Sequence, residues 1–405
     1  LVCCFPFLSI RFTVTAETSR LAVDACAVAN TGDIAPYAGR RRAGAFGEEW
    51  PMTIRWKYLA ILVIVAPLLG LGFAWSGLMS VKASTGHWGM TDWFLHWVMR
   101  NSIRTAALSI EVPPLGNPAL LPAAAGHFET GCAICHGSPA QKASGAVLAM
   151  LPPPPDLKTV VPGWSDAELF EIVKHGVRFT GMPAWPAQVR DDEVWDMVAF
   201  LRKLPGMDGN AYLQASGLHG VGTAGEVSPL PITCESCHAE KRLNGNSVIP
   251  RLAGQSEAYL LNSLRAYAHG ERASGIMKVA VGTLAEESLP ELAAYYAKQA
   301  RPQRPSAPVD LQLVERGREI AERGRAADKI PACLSCHEKP GGNPAYPRIS
   351  GQNAPYLERQ LRLLHAGVRG GSSFSHLMTE VAKKLNEEDF AALAAFFASR
   401  ESSGP

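Results

Sequence analysis

Strong charge of either sign is missing from this chain of 405 residues. Thirty-nine Lys and Arg face thirty-seven Asp and Glu, a formal net charge of +2, and only 19% of residues are charged. That balance speaks against nucleic acid as a partner, because polyanion binders carry a basic excess. Cysteine is scarce as well: nine residues are too few to form a disulfide scaffold in a chain this long. Strand-like alternation is lacking around the cysteine pairs described below. Methionine is absent before Met52. Disorder of the whole chain is excluded, since 47% of residues are hydrophobic. The length allows roughly two to four domains at ~100–200 residues each.

Residues 1–51 hold Cys3, Cys4, Cys26 and an Arg40-Arg41-Arg42 cluster, and apart from Leu1 to Ile10 they lack the periodicity of a folded domain. They are expected to be translation upstream of a start at Met52, with a disordered tail as the alternative. From Tyr58 to Met79 the chain carries no charge. This span, residues 58–79, is predicted to be a transmembrane helix, since about 20 apolar residues cross a bilayer. A signal-peptide core is usually only ~7–15 residues, so a retained anchor is expected, with cleavage after Ala83 as the alternative. Arg55 and Lys57 precede the span and place the N-terminus in the cytoplasm. Residues 88–108 bring Trp88, Trp93, Phe94 and Trp97 close together and are predicted to lie at the headgroup level. A helix packed on the first soluble domain is the other reading. His87 and His96 read as interfacial, because a single span supplies no facing helix to complete a membrane haem site.

Six cysteines fall into three copies of Cys-x-x-Cys-His: Cys132, Cys135 and His136; Cys234, Cys237 and His238; Cys333, Cys336 and His337. Two thiols at this spacing add to the vinyl groups on one edge of a haem, and the adjacent histidine reaches the iron. Structural zinc needs four ligands in one place. Here the pairs lie about a hundred residues apart, and three pairs do not divide into two-pair sites. A thioredoxin motif would need a βαβ context. Three covalently attached haem c groups are therefore expected.

Each iron needs a second axial ligand, commonly a methionine in electron-transfer sites. Met182, Met277 and Met378 follow His136, His238 and His337 by 46, 39 and 41 residues. Met277 and Met378 are the only methionines in their parts of the chain. Met182, in a Gly-Met-Pro turn, competes with Met150, Met197, Met207 and His175. After each methionine an apolar stripe runs at i, i+3, i+4, i+7: Val194, Met197, Val198 and Leu201; Leu289, Leu292, Ala293 and Tyr296; Phe390, Leu393, Ala394 and Phe397. Acidic residues crowd the helix starts (Asp191-Asp192-Glu193, Glu286-Glu287, Glu387-Glu388-Asp389), which suits the helix dipole, and Asn386 is the expected N-cap. Linkers are predicted over Asp208–Pro231 and Arg301–Pro305, where glycine, proline and small residues gather.

The order of helix, Cys-x-x-Cys-His, loop, methionine and closing helix resembles the class I cytochrome c fold three times over. Pro250-Arg251-Leu252-Ala253-Gly254-Gln255 returns as Pro347-Arg348-Ile349-Ser350-Gly351-Gln352, and Tyr259-Leu260 as Tyr356-Leu357. This C-terminal half is similar to the two-haem periplasmic cytochromes of the c-four type. The first copy, with Pro152-Pro153-Pro154-Pro155 and its Gly-Met-Pro turn, looks like single-haem modules fused to oxidases and dehydrogenases. The fold class implied is all-α: three cytochrome c-like haem domains, at 115–207, 215–300 and 308–400, after one N-terminal transmembrane helix. The function implied is a membrane-anchored tri-haem electron carrier rather than an enzyme, with its haem domains in the periplasm of a bacterial inner membrane. Its partners would be membrane lipid, a quinol-oxidising complex or dehydrogenase as donor, and a terminal oxidase. A cytochrome subunit of a membrane-bound alcohol, aldehyde or sugar dehydrogenase is the nearest rival. A peroxidase-like haem enzyme is the more distant one, since it needs a displaceable ligand on the iron.

Overall fold

The computed structural model describes residues 56–78, 80–82, 84–218, 232–243, 247–301 and 310–400. The readings made for residues 1–51, for Met79 and Ala83, for 219–231 of the first expected linker and for 302–305 of the second fall outside these residues. The chain divides into two bodies, Leu1–Met79 and Ser80–Pro405.

In the first body, α1 (Trp56–Trp75) runs for 20 residues, with Pro67 tolerated inside it. At ~1.5 Å per residue this spans about 30 Å, the thickness of a hydrocarbon core. Among the described residues it is the one helix long and apolar enough to cross a membrane. It stops four residues before the expected end. The Ser76 hydroxyl donates to the Phe73 carbonyl at 2.6 Å, and Gly77 takes a left-handed φ of 72° that the helix cannot continue through.

The second body is helical, and no strand occurs among its described residues. It begins with α2 (Gly89–Ala107). One face packs on the body: Ile103 is buried, Arg104 pairs with Glu168 at 3.6 Å, and the Arg100 guanidinium sits 5.2 Å from the Trp164 ring. The other face leaves Trp88, Met90, Trp93, Phe94 and Trp97 exposed, with Trp93 and Trp97 stacked 6.3 Å apart.

Three regions follow. In the first, α3 (Leu121–His127) runs through a π-helical turn, Phe128–Cys132, into Ala133–His136. It packs against α5 (Asp191–Lys203), which α4 (Asp166–His175) also contacts. The predicted stripe Val194, Met197, Val198, Leu201 is buried here. Part of the expected linker departs from its reading: Gly209–Ser216 is a helix, α6, capped by Asp208. Its Tyr212 lies 6.1 Å from Phe128 and 6.4 Å from Phe200, fully buried, so the aromatic ring and not the surrounding small residues decides the outcome. Burying such a ring is worth about 1.5–3 kcal/mol.

The second region comprises α7 (Ile232–His238), α8 (Glu257–Ala268), α9 (Gly275–Gly282) and α10 (Leu289–Lys298). The third comprises α11 (Leu311–Arg323), the turn Leu334–His337, α12 (Ala354–His365), α13 (Ser375–Ala382) and α14 (Glu387–Ser399). Both remaining stripes are buried as predicted, and Asn386 caps α14 in a capping box with Asp389. The repeated Pro-Arg-x-x-Gly-Gln segments clamp the second and third regions reciprocally. Gln352 accepts from the Arg251 amide at 2.7 Å and donates to its carbonyl at 2.8 Å; Gln255 accepts from the Arg348 amide at 2.9 Å and donates to its carbonyl. The first region is tied to the third by Arg359 of α12, which makes two hydrogen bonds to buried Asp196 of α5 at 2.5 and 3.0 Å. The three regions are thus joined by buried polar contacts.

Candidate haem-attachment sites

Each Cys-x-x-Cys-His ends on a turn of helix, with Cys132 and Cys333 at the N-caps of theirs and Cys234 inside α7. Burial, with Cys135 beside it, pushes the Cys132 thiol up to about 12, and burial raises Cys333 to about 11, so both stay protonated.

The three histidines share one arrangement. Nδ1 of His136 lies 3.0 Å from the Pro155 carbonyl, Nδ1 of His238 lies 3.0 Å from that of Pro250, and Nδ1 of His337 lies 3.0 Å from that of Pro347. A carbonyl oxygen only accepts, so the proton must sit on Nδ1 and the Nε2 lone pair is left for a metal. Burial lowers the pKa of His238 and of His337, which favours the neutral ring that ligation requires. Proline suits the acceptor role because it brings a carbonyl but no competing N–H. The sequence reading noted these prolines without seeing their task. The signal was there: Pro250 and Pro347 open the repeated motif, and Pro155 closes the proline run.

In the third region the structure brings the predicted residues to one place. Cys333, Cys336, His337 and Met378 line a cavity of about 480 Å³ walled by Leu357, Leu361, Leu393 and Phe397. That volume is typical of cofactor pockets, which run ~300–1,000 Å³. Tyr259 and Arg272 of the second region reach the same cavity. Arg272 donates to Tyr259 at 3.4 Å, Ser263 at 3.1 Å, Tyr356 at 3.3 Å and Gln360 at 3.2 Å. Arg369 donates to Gln360 at 2.6 Å and to Tyr259 at 3.3 Å. None of these partners is a carboxylate. Burial alone would raise the Tyr259 pKa, but the two guanidiniums pull it well below the ordinary phenol range. The donor set, the apolar walls and this positive rim fit a covalently held haem and its carboxylate side chains.

In the second region Met277 is the third residue of α9, and its amide donates to the Ser274 hydroxyl at 3.1 Å. In the first region Met182 sits on a turn closed by Val177 N–H to the Met182 carbonyl at 3.3 Å and by Met182 N–H to the Thr180 hydroxyl at 3.1 Å. Its competitor His175 is half-exposed at the end of α4, 3.7 Å from Glu171. It borders a surface cleft with Ala106, Ser109 and Trp195 that contains none of the motif residues. Met197 belongs to the core. Met150 packs beside Gly181, next to Met182.

The sequence model of the family described as cytochrome c oxidase, cbb3-type, subunit III matches residues 119–201, which contain Cys132, Cys135, His136 and Met182. Cytochrome c4 of Azotobacter vinelandii is 35% identical over 193 residues, 44% of this chain and 89% of that protein. A protein of Thiomonas intermedia named thiosulfate dehydrogenase electron acceptor is 31% identical over 176 residues, 42% of this chain and 80% of its own length. Among solved structures, reduced recombinant cytochrome c4 from Pseudomonas stutzeri is 29% identical with a TM-score of 0.37, covering 42% of this chain and 94% of that one.

Proposed function

Because the chain belongs to the cytochrome c4 family of c-type cytochromes over about 44% of its length, we propose that the whole chain is a membrane-tethered electron carrier with three haem c groups. The observation that carries the number three is the histidine arrangement: all three motif histidines, including the one in the first region, present Nδ1 to a proline carbonyl at 3.0 Å.

When bound, each haem supplies a one-electron iron couple. In this reading Cys132 and Cys135, Cys234 and Cys237, and Cys333 and Cys336 would hold the three groups covalently through their sulfurs. His136, His238 and His337, oriented by the proline carbonyls, would offer Nε2 to the iron, and Met182, Met277 and Met378 would offer sulfur. The closing helices α5, α10 and α14 exclude water from behind each site, and Arg272 with Arg369 balances carboxylate charge between the second and third. As an anchor in a bacterial inner membrane, α1 would keep the carrier where its partners sit, with the exposed aromatic face of α2 at the lipid headgroups and the haem regions in the periplasm. Lipid, a quinol-oxidising complex or dehydrogenase, and a terminal oxidase are the partners this reading expects.

The relative named thiosulfate dehydrogenase electron acceptor favours a second reading, a cytochrome subunit working with a dehydrogenase. Detergent co-purification separates the two, since a stoichiometric dehydrogenase would establish the second.

Pyridine-haemochrome analysis against protein mass tests the main reading. Three haems per chain are expected, falling to two when Cys132 and Cys135 are both replaced by Ala. Two haems in the unaltered protein would overturn it. The ligand set is tested by the weak near-infrared sulfur-to-iron band of the oxidised protein. Met182→Ala should remove one third of it, and His175→Ala should leave it whole.

A further inference from the structure

Glu193 opens the closing helix of the first region, yet its carboxylate serves the second. It is 4% exposed. The Ser274 hydroxyl donates to Oε1 at 2.6 Å, the Gly275 amide donates to Oε2 at 2.6 Å, and the Trp185 indole N–H donates to Oε2 at 3.3 Å. Arg190 lies 2.9 Å from Oε1 and donates to the Ala273 carbonyl at 2.7 Å. The Trp185 ring lies so close that a Cβ on Gly275 would come 2.2 Å from its indole nitrogen. Trp185, Arg190 and Glu193 of the first region therefore grip residues 273–275, one residue short of Met277.

The grip has a direction. A hydroxyl has one proton to give. Since the Glu193 carboxylate takes it, the Ser274 oxygen must turn a lone pair to the Met277 amide, which donates to it at 3.1 Å. Glu193 thus orders the first turn of α9 through the N-cap hydroxyl. The Gly275 amide, one of the donors a helix N-terminus leaves unpaired, goes to the carboxylate directly. The corresponding helix of the third region, α13, has Phe374 at its N-cap and no side-chain cap hydrogen bond.

We propose that Glu193 of the first region is the positioning residue that holds Met277 as a ligand in the second. The inference rests on the reading of Met277 as an axial ligand. Loss of the carboxylate would loosen the first turn of α9 and let the methionine leave the iron more often, at this one site of three.

The test uses the full haem-loaded chain and titrates the oxidised protein with imidazole, which takes an axial position when methionine leaves. Glu193→Ala should raise the imidazole affinity of one haem about tenfold, the lower end of what losing a ligand-orienting partner costs a metal site. It should lower one of three reduction potentials, dim the near-infrared sulfur band by up to one third and leave the other two haems unchanged. Glu193→Gln, which keeps one accepting oxygen, should fall between. Should Glu193→Ala fail to accumulate, Ser274→Ala should show the same single-site change. If neither variant alters imidazole affinity or the band while Met277→Ala removes one third of it, the ligand reading stands and the role of Glu193 is refuted. If Met277→Ala leaves the band whole, the ligand reading fails and takes this proposal with it.

Discussion

The second and third regions repeat one another in sequence, but they are supported differently. In the third, α11 crosses α14 so closely that a Cβ on Gly317 would come 2.1 Å from the Ala392 carbonyl. Phe390, Leu393, Phe396 and Phe397 form a core with Val314 and Ile320 from that crossing helix. The buried core of the second region is Leu260, Leu292, Ala293 and Tyr296, without a crossing helix among the described residues. It borrows instead. Ala123 of α3 clusters with Leu243, Val248 and Ile249, and Ile276 of α9 packs against the core of the first region. A duplicated module can therefore keep its chemistry while changing what holds it: one copy stands on its own helix, the other on its neighbour. The same contrast recurs at the third position of the closing helices. Asp389 of α14 stays at home, paired with Arg316 and Arg325 and boxed with Asn386. Glu193 of α5 reaches across to α9.

The strongest way to break this comparison is Gly317→Ala. The added methyl meets backbone, which has little room to yield, so a loss of about 3 kcal/mol is expected, at the upper end of overpacking costs. Denaturant unfolding should show the third region melting early while the second is unchanged; equal damage to both would erase the distinction. Gly126→Ala tests dependence in the other direction. Its Cβ would come 2.6 Å from the Cys237 sulfur, so a substitution in the first region should injure the second. About 2 kcal/mol is expected, and haemochrome content should drop through loss of attachment at Cys234 and Cys237, not at Cys132 and Cys135.

The two carboxylates should also part company with pH. Burial pushes up on Asp389, but Arg325, the Asn386 amide and Arg316 outweigh it and hold its pKa below the ordinary value. Its contribution is thus present above the unfolded pKa of ~3.9 and is lost as pH falls through the lower folded value. Asp389→Asn should cost about 1.5 kcal/mol at neutral pH and flatten the stability curve of the third region below about pH 4. Burial raises Glu193 instead, with Arg190 opposing. Unlike Asp389, the Glu193 carboxylate therefore brings no gain in stability as pH rises. Thermal unfolding as a function of pH checks both. The smallest effect expected is Tyr212→Phe, which keeps the ring of α6 in the core and removes its hydrogen bond to Glu129. About 1 kcal/mol should be lost, confined to the first region.

Much of the site was legible before any coordinates. The thiols, the histidines, the three apolar stripes and the Asn386 cap all depend on spacings within a turn or two of helix, and local geometry converts such spacings directly into positions. Gly209–Ser216 was misread for the complementary reason. Its composition suits a linker, and only Phe128 and Phe200, distant in sequence, give Tyr212 a place to bury.

What the chain alone determined is the residue types offered at each proposed site: three thiol pairs, three imidazoles and a methionine after each, set at short, countable intervals. What only the tertiary structure decided is which groups steady them. A carboxylate at the third position of a helix looks the same in sequence whether it caps its own helix, as Asp389 does, or another region's, as Glu193 does. A proline carbonyl 10, 12 or 19 residues downstream becomes the partner of a histidine only when the loop between them closes. Those choices depend on how whole regions dock, and docking is set by the sum of many distant contacts that no local pattern records.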